Sequence, residues 1–270
     1  MDEHQAALFI GIAAIAIVAV LIMTSTADTD SVLEQFYSSS RSAYGQFFSP
    51  SGTGNPQSSS IPKIEEVKLE CGSVVSKSVF LSSDIICKDT SKVGVSFETD
   101  GITIDCRGHK ISGLNKNSYG IYLKNRKHIV IKNCDIENFQ YGVYLLGSGN
   151  IELENVKAMD NDIGFVLWNS DSNALRSIEA SQNRRGIYLQ ASSKTILAES
   201  AINKNKQYGI FSLYSDPLEI INSKLCGNPS YDIYISPKGT DIQGGLDSKN
   251  TCDLTHNWKD QVTEGCANKC

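Results

Sequence analysis

A short motif returns along this chain at a nearly constant interval, and that periodicity limits the possible folds more than any other feature. Gly-Ile-Tyr-Leu begins at Gly120, Gly-Val-Tyr-Leu at Gly142, Gly-Phe-Val-Leu at Gly164 and Gly-Ile-Tyr-Leu again at Gly186. Gly-Ile-Phe-Ser follows at Gly209 and Asp-Ile-Tyr-Ile at Asp232, so the intervals are 22, 22, 22, 23 and 23 residues. Self-similarity over five intervals implies a solenoid in which each repeat is one structural unit stacked on the next.

Within a repeat the apolar residues alternate. One run carries Ile121/Leu123, Val143/Leu145, Phe165/Leu167 and Ile187/Leu189. About eight residues later a second run carries Ile129/Ile131, Ile151/Leu153, Leu175, Leu197 and Leu218/Ile220, and a third column follows at Ile136, Ala158, Ala180, Ile202 and Leu225. A period of two means strands with one face inward. The segments between them are too short for crossover helices, and Asn, Gly and Ser fill them. Asn and Gly tolerate left-handed backbone angles, so the column Asn161, Asn183, Asn205 and Asn228 is expected at a corner. A leucine-rich repeat would need Leu-x-x-Leu-x-Leu-x-x-Asn, which is absent. The remaining arrangement is an all-β parallel β-helix, one coil per repeat, with equivalent residues stacked about 4.8 Å apart. An upstream coil is traced through Val93–Phe97 and Gly101–Ile111, with the N-terminal end covered by Ile64–Ile86. After Ile242 the repeat dissolves into a Cys-rich tail.

The remainder of the chain bears on location. Ala6–Met23 contains no charged or strongly polar side chain, and as a helix its 18 residues would span about 27 Å, close to the ~30 Å core of a bilayer. That is long for the core of a signal peptide. A retained transmembrane anchor is therefore expected, with the lipid bilayer as partner, and Ser25-Thr26-Ala27 offers small residues for the alternative of cleavage. No Lys or Arg precedes Arg41, so the positive-inside rule does not orient the segment. The eight cysteines contain no Cys-x-x-Cys pair and suit disulfides in an oxidising compartment. The large domain is accordingly expected outside the cytoplasm of a single-pass cell-membrane protein. Thr24–Pro62, rich in Ser, Thr, Gly and Pro, reads as a flexible stalk. The expected division is an anchor over 1–26, a stalk over 27–62, an N-terminal cap and first coil over 63–96, repeats over 97–245 and a C-terminal cap over 246–270. With 25 basic against 30 acidic side chains and a formal charge of −5, the chain lacks the basic stripe of a nucleic-acid binder.

The segments CGSVVSKSVFLSSDIIC (Cys71–Cys87), GITIDCRGHKISG (Gly101–Gly113) and GIYL…IVIKNCDIENFQYGVYL, ending at Leu145, resemble the NosD-type right-handed parallel β-helix family. Its members carry repeats of the carbohydrate-binding-and-sugar-hydrolysis (CASH, or PbH1) type. The ending NTCDLTHNWKD…GCANKC is similar to tails of extracytoplasmic proteins of this group, many of them archaeal. The resemblance covers about Lys68–Cys270 and implies a right-handed β-helix in a membrane-anchored, extracytoplasmic protein. It implies no single activity, because the family includes lyases, epimerases, hydrolases and proteins without known chemistry.

The residues available for chemistry are few. Polysaccharide lyases and epimerases on this fold resemble one another in using acidic residues for calcium and a basic residue for proton abstraction. The candidates here are Asp160, Asp162, Arg184 and Arg185. Asp162 and Arg184 hold equivalent repeat positions, and the simpler expectation for them is an ion pair between adjacent coils. Ca2+ enters only under that lyase alternative; otherwise neither a cofactor nor a metal is expected. Lys132, Glu154 and Arg176 read as a charged cross-strand ladder. His4, His109, His128, His256 and the three methionines form no local cluster for copper. Cys71 and Cys87 are expected to pair. Cys106 and Cys134 are either paired or simply buried, and Cys226, Cys252, Cys266 and Cys270 are expected to pin the tail. Between the inward residues of each motif, Tyr122, Tyr144, Val166, Tyr188, Phe211 and Tyr234 must point outward. They form either a stabilising stack or, chiefly through the aromatic members, an apolar platform for sugar rings. The leading expectation is a non-catalytic protein that binds or organises surface polysaccharide or a surface protein. The alternatives are a carbohydrate-active lyase, epimerase or hydrolase, and a structural spacer.

Overall fold

The computed structural model describes residues 64–88, 93–114, 118–236, 249–260 and 263–270. The apolar run Ala6–Met23 and the stalk lie outside them. Among the described residues no helix is long and apolar enough to cross a membrane.

The described chain winds as a parallel β-helix with three sheet faces. Face A contains the Gly-x-Tyr-Leu strands and runs through Tyr119–Lys124, Tyr141–Leu146, Ile163–Trp168, Arg185–Gln190, Tyr208–Leu213 and Tyr231–Ser236. Face B continues each coil with strands such as Val130–Lys132 and Glu152–Glu154, and face C closes it with strands such as Asp135–Glu137 and Lys157–Met159. Each strand pairs in parallel with its equivalents one coil away. The winding begins before the 22-residue repeat, with Glu65–Val67, Ser73–Val75, Val79–Leu81 and Ile85–Cys87 already placed in the three faces. It also outlasts the repeat: Thr251–Cys252 extends face C and Thr255–His256 extends face A.

The alternation places the core as read. Leu123, Leu145, Leu167 and Leu189 stack in register on face A, and each is no more than 1% exposed. Ile131, Leu153 and Leu175 do the same on face B, and Ile136, Ala158 and Ala180 on face C. The charged column Lys132, Glu154 and Arg176 is outward and in register, with Lys132 Nζ 2.7 Å from Glu154 Oε2.

The corner Asn column has a different cause from the one expected. Positive φ falls on the residue before each member, at Asp160, Gln182, Lys204 and Gly227, and not on Asn161, Asn183, Asn205 or Asn228. Those four asparagines are buried, and their side chains run a hydrogen-bonded ladder along the helix. Asn183 Oδ1 accepts from the Asn161 backbone N–H at 2.9 Å, and Asn205 Oδ1 accepts from that of Asn183 at 3.1 Å. Asn183 Nδ2 donates to the Ala158 carbonyl at 2.9 Å. The corner thus satisfies backbone groups that the turn removes from the sheets. Asp232 ends the ladder: its carboxylate accepts from Asn228 Nδ2 at 2.8 Å and from the Asp253 backbone N–H at 2.8 Å. The repeated glycine sits beside this ladder because a Cβ on Gly164 would meet the Gly186 carbonyl oxygen at 2.7 Å and Asn183 Nδ2 at 3.0 Å.

All eight cysteines are paired. Cys71–Cys87 closes the first coil as expected, and Cys106–Cys134, left open by the sequence, joins adjacent coils. Cys226–Cys270 and Cys252–Cys266 fasten the tail to the last coils, where Trp258 is buried.

Candidate functional site

Face A presents its outward side chains in columns. The expected column Tyr122, Tyr144, Val166, Tyr188, Phe211 and Tyr234 is in register. A second column, Tyr119, Tyr141, Ile163, Arg185, Tyr208 and Tyr231, runs beside it. The sequence reading missed the second column, although its signal is plain: these are the residues before each motif glycine. Gly120 and Ile121 are both inward, so strict alternation fails at that step and the residue before the glycine returns to the outer surface.

The rings form two groups. Tyr119, Tyr122, Tyr141 and Tyr144 meet at centroid distances of 5.0–5.8 Å. Further along, Tyr208 lies 4.7 Å from Phe211, which stacks on Tyr234 at 4.9 Å and 9°. His256 continues the stack beyond Tyr234 at 4.6 Å and 11°. Between the groups, Val166 and Ile163 point outward yet are only 1% and 5% exposed. Trp168 stays 38% exposed on the same coil, edge-on to Tyr188 at 6.5 Å. The tyrosines of both columns are half-buried. The Tyr188 hydroxyl donates to Gln190 Oε1.

Burial pushes the Tyr144 phenol up to about 12, with Tyr119, Tyr141 and Tyr122 adding to the effect. Tyr122 and Tyr141 are raised in the same direction, again chiefly by burial. A phenol whose folded pKa is raised contributes stability that is complete below its unfolded pKa and is lost as pH rises from there through the folded value. The ultraviolet titration difference between wild type and Tyr144→Phe should therefore centre near 12. A difference centred near the ordinary value of about 10 would mean that this ring is solvated.

The four residues considered for catalysis do not converge. Arg184 binds Asp162 through two bonds, Nε to Oδ1 at 2.7 Å and Nη2 to Oδ2 at 2.8 Å, and its Nη1 donates to Gln207 Oε1 at 3.3 Å. That pair is an inter-coil clamp along one edge of face A, and the hydrogen bonds that Arg184 donates to Asp162 hold the Arg184 pKa above its usual value. Asp160 occupies an exposed left-handed corner. Arg185 instead lies over the rings, 4.7 Å from the Phe211 centroid and 5.6 Å from those of Tyr188 and Tyr208. Among the described residues, three metal-ligating types approach one another at Asp232, Asp253 and Cys270. Cys270 is held in a disulfide and the Asp232 carboxylate already caps the Asn ladder, so their arrangement closes the solenoid end.

The family model described as a right handed beta helix region matches residues 93–246. No curated protein matches the chain at a significant level. Among solved structures, the chain is similar to the Dettilon tailspike protein gp208, at 14% identity and a TM-score of 0.46, covering 68% of this chain and 42% of that one. The pectate lyase Pel9A gives 13% identity and a TM-score of 0.39, covering 68% of this chain and 52% of the enzyme. The periplasmic alginate epimerase AlgG gives 12% identity and a TM-score of 0.41, covering 73% and 69%. The chain thus spans about half, or less, of the tailspike and pectate lyase chains. The stacked parallel coils and the family match over 57% of the 270 residues (154 of 270) agree, and the chain belongs to the right-handed β-helix family.

Proposed function

We propose that this protein is a non-catalytic polysaccharide-binding β-helix whose ligand lies along face A. The observation that carries the reading is the double outward column over six coils, in which nine of the twelve side chains are half-buried aromatics and the third coil interrupts them with Ile163 and Val166. Aromatic faces pack against the C–H surfaces of sugar rings, and phenol hydroxyls add hydrogen bonds at the edge. Two groups of rings in line along the axis suit a ligand that is itself a chain of rings. The closed Asp162–Arg184 clamp supports binding over turnover, because an acidic and a basic group considered for catalysis bind each other. We place the domain outside the cytoplasm, tethered by Ala6–Met23, in a NosD-like protein of the membrane-anchored type. The apolar length of that run and four disulfides in one small domain support this location.

The test is the double substitution Tyr144→Ala/Tyr188→Ala in the full chain, screened with the wild type against an array of polysaccharides. Wild type should bind at least one, and the double variant should lose that binding with its β-sheet circular dichroism retained. Unchanged binding by the variant would return the aromatic columns to a purely stabilising role.

A further inference from the structure

We propose that Arg185 makes face A selective for anionic sugars, with its guanidinium holding the carboxylate of a hexuronic acid residue while the flanking rings pack on the sugar. This rests on the polysaccharide-binding reading above and specifies its ligand class. Three observations carry it.

The first is the state of Arg185 itself. Among the described residues, its side chain has neither an ion pair nor a hydrogen-bond acceptor, and its Nε is buried without a partner. An arginine carries five N–H donors in a planar fork that matches two carboxylate oxygens. Neighbouring Arg184 shows the satisfied condition, since Asp162 and Gln207 occupy its nitrogens. Burial and the adjacent Arg184 charge together hold the Arg185 pKa below its usual value, so an incoming anion would relieve an existing electrostatic cost.

The second is the charge of the face. The chain is acidic, at −5, and its other faces carry outward Asp and Glu, as at Asp105, Glu154, Asp135 and Glu179. The outward positions of the six face-A strands from Tyr119 to Ser236 include no carboxylate; their charged members are Lys124 and Arg185. An acidic protein that keeps carboxylates off one aromatic face leaves that face open to an anion.

The third is position. Arg185 lies on the coil that follows the flat Ile163/Val166 step, between the four-tyrosine group and the Tyr208–Phe211–Tyr234 group. A chain of sugars bridging the two groups must pass the guanidinium.

The experiment compares a hexamer of glucuronic acid with the same hexamer after its carboxylates are reduced to primary alcohols, each titrated calorimetrically into the full chain. Wild type should bind the acidic hexamer at least about tenfold more tightly, the effect expected of one charge-assisted contact, and that preference should shrink as salt is raised. Arg185→Gln should bind the two hexamers with equal affinity, and Arg185→Lys should recover part of the preference. Retained β-sheet circular dichroism shows that the Gln variant is folded. Equal wild-type affinity for the two hexamers, or a preference that survives in Arg185→Gln, would overturn the role of Arg185 while leaving polysaccharide binding in place. Binding of neither hexamer by a wild type that binds a polysaccharide on the array would overturn the hexuronic acid selectivity alone, and no binding in either assay would overturn both readings.

Discussion

Leu167→Asp should unfold the central coils under conditions in which the wild type is fully native. Leu167 is 0% exposed and stacks between Leu145 and Leu189. Removing it forfeits about 1.5–3 kcal/mol of apolar burial. The new carboxylate would have no partner in a column of leucines, adding several kcal/mol of desolvation. The sum rivals the ~5–15 kcal/mol that separates a typical folded domain from its unfolded chain. A solenoid coil is supported only by its two neighbours, so the damage should spread along the axis. Lys132→Ser is the matched control. Its ion pair with Glu154 is exposed, with side chains 37% and 47% accessible, and loss of such a pair costs about 0–1 kcal/mol. Urea titrations of both variants decide the matter; equal small losses would mean that the inward and outward assignments are wrong.

Asn183→Leu should be the next most damaging change, by about 2–6 kcal/mol for two buried groups left unpaired at about 1–3 kcal/mol each. Leucine cannot accept from the Asn161 N–H or donate to the Ala158 carbonyl, and both lie in a corner closed to water. Native-state hydrogen exchange supplies the specific readout. The Asn161 amide should exchange far faster in the variant, while amides of the first coils keep their protection. An unaltered Asn161 exchange rate would show that the ladder is not what satisfies that N–H.

These two residues also mark what can be read from the chain before its structure is known. Leu167 is legible because a period of two and a repeat of 22 act together: one assigns its face and the other its stacking partners. Asn183 was legible as a corner residue but not as a ladder, because a propensity for left-handed angles and a capacity for buried amide hydrogen bonds select the same residue type. Tyr119 and Tyr208 escaped notice for a geometric reason. The inward Gly-Ile step shifts the alternation by one residue, so the residue before the glycine faces out where a uniform strand would turn it in. Asp162 and Arg184 were legible as neighbours because equal repeat positions in adjacent coils must meet. The isolation of Arg185 was not, since sequence position does not reveal which of two adjacent arginines a carboxylate will choose. Cys106 and Cys134 lie 28 residues apart, off the repeat interval, so the period alone did not pair them.

The account's central claim is that face A holds a polysaccharide chain without breaking it. The most direct measurement follows binding and glycan length in one sample: the full chain is incubated with a polysaccharide it retains, and the glycan is then sized by chromatography and assayed for new reducing or unsaturated ends. The account predicts saturable retention that Tyr144→Ala/Tyr188→Ala abolishes, with the length distribution unchanged after prolonged incubation. Progressive shortening of the glycan, or new chain ends that accumulate in proportion to protein, would contradict it.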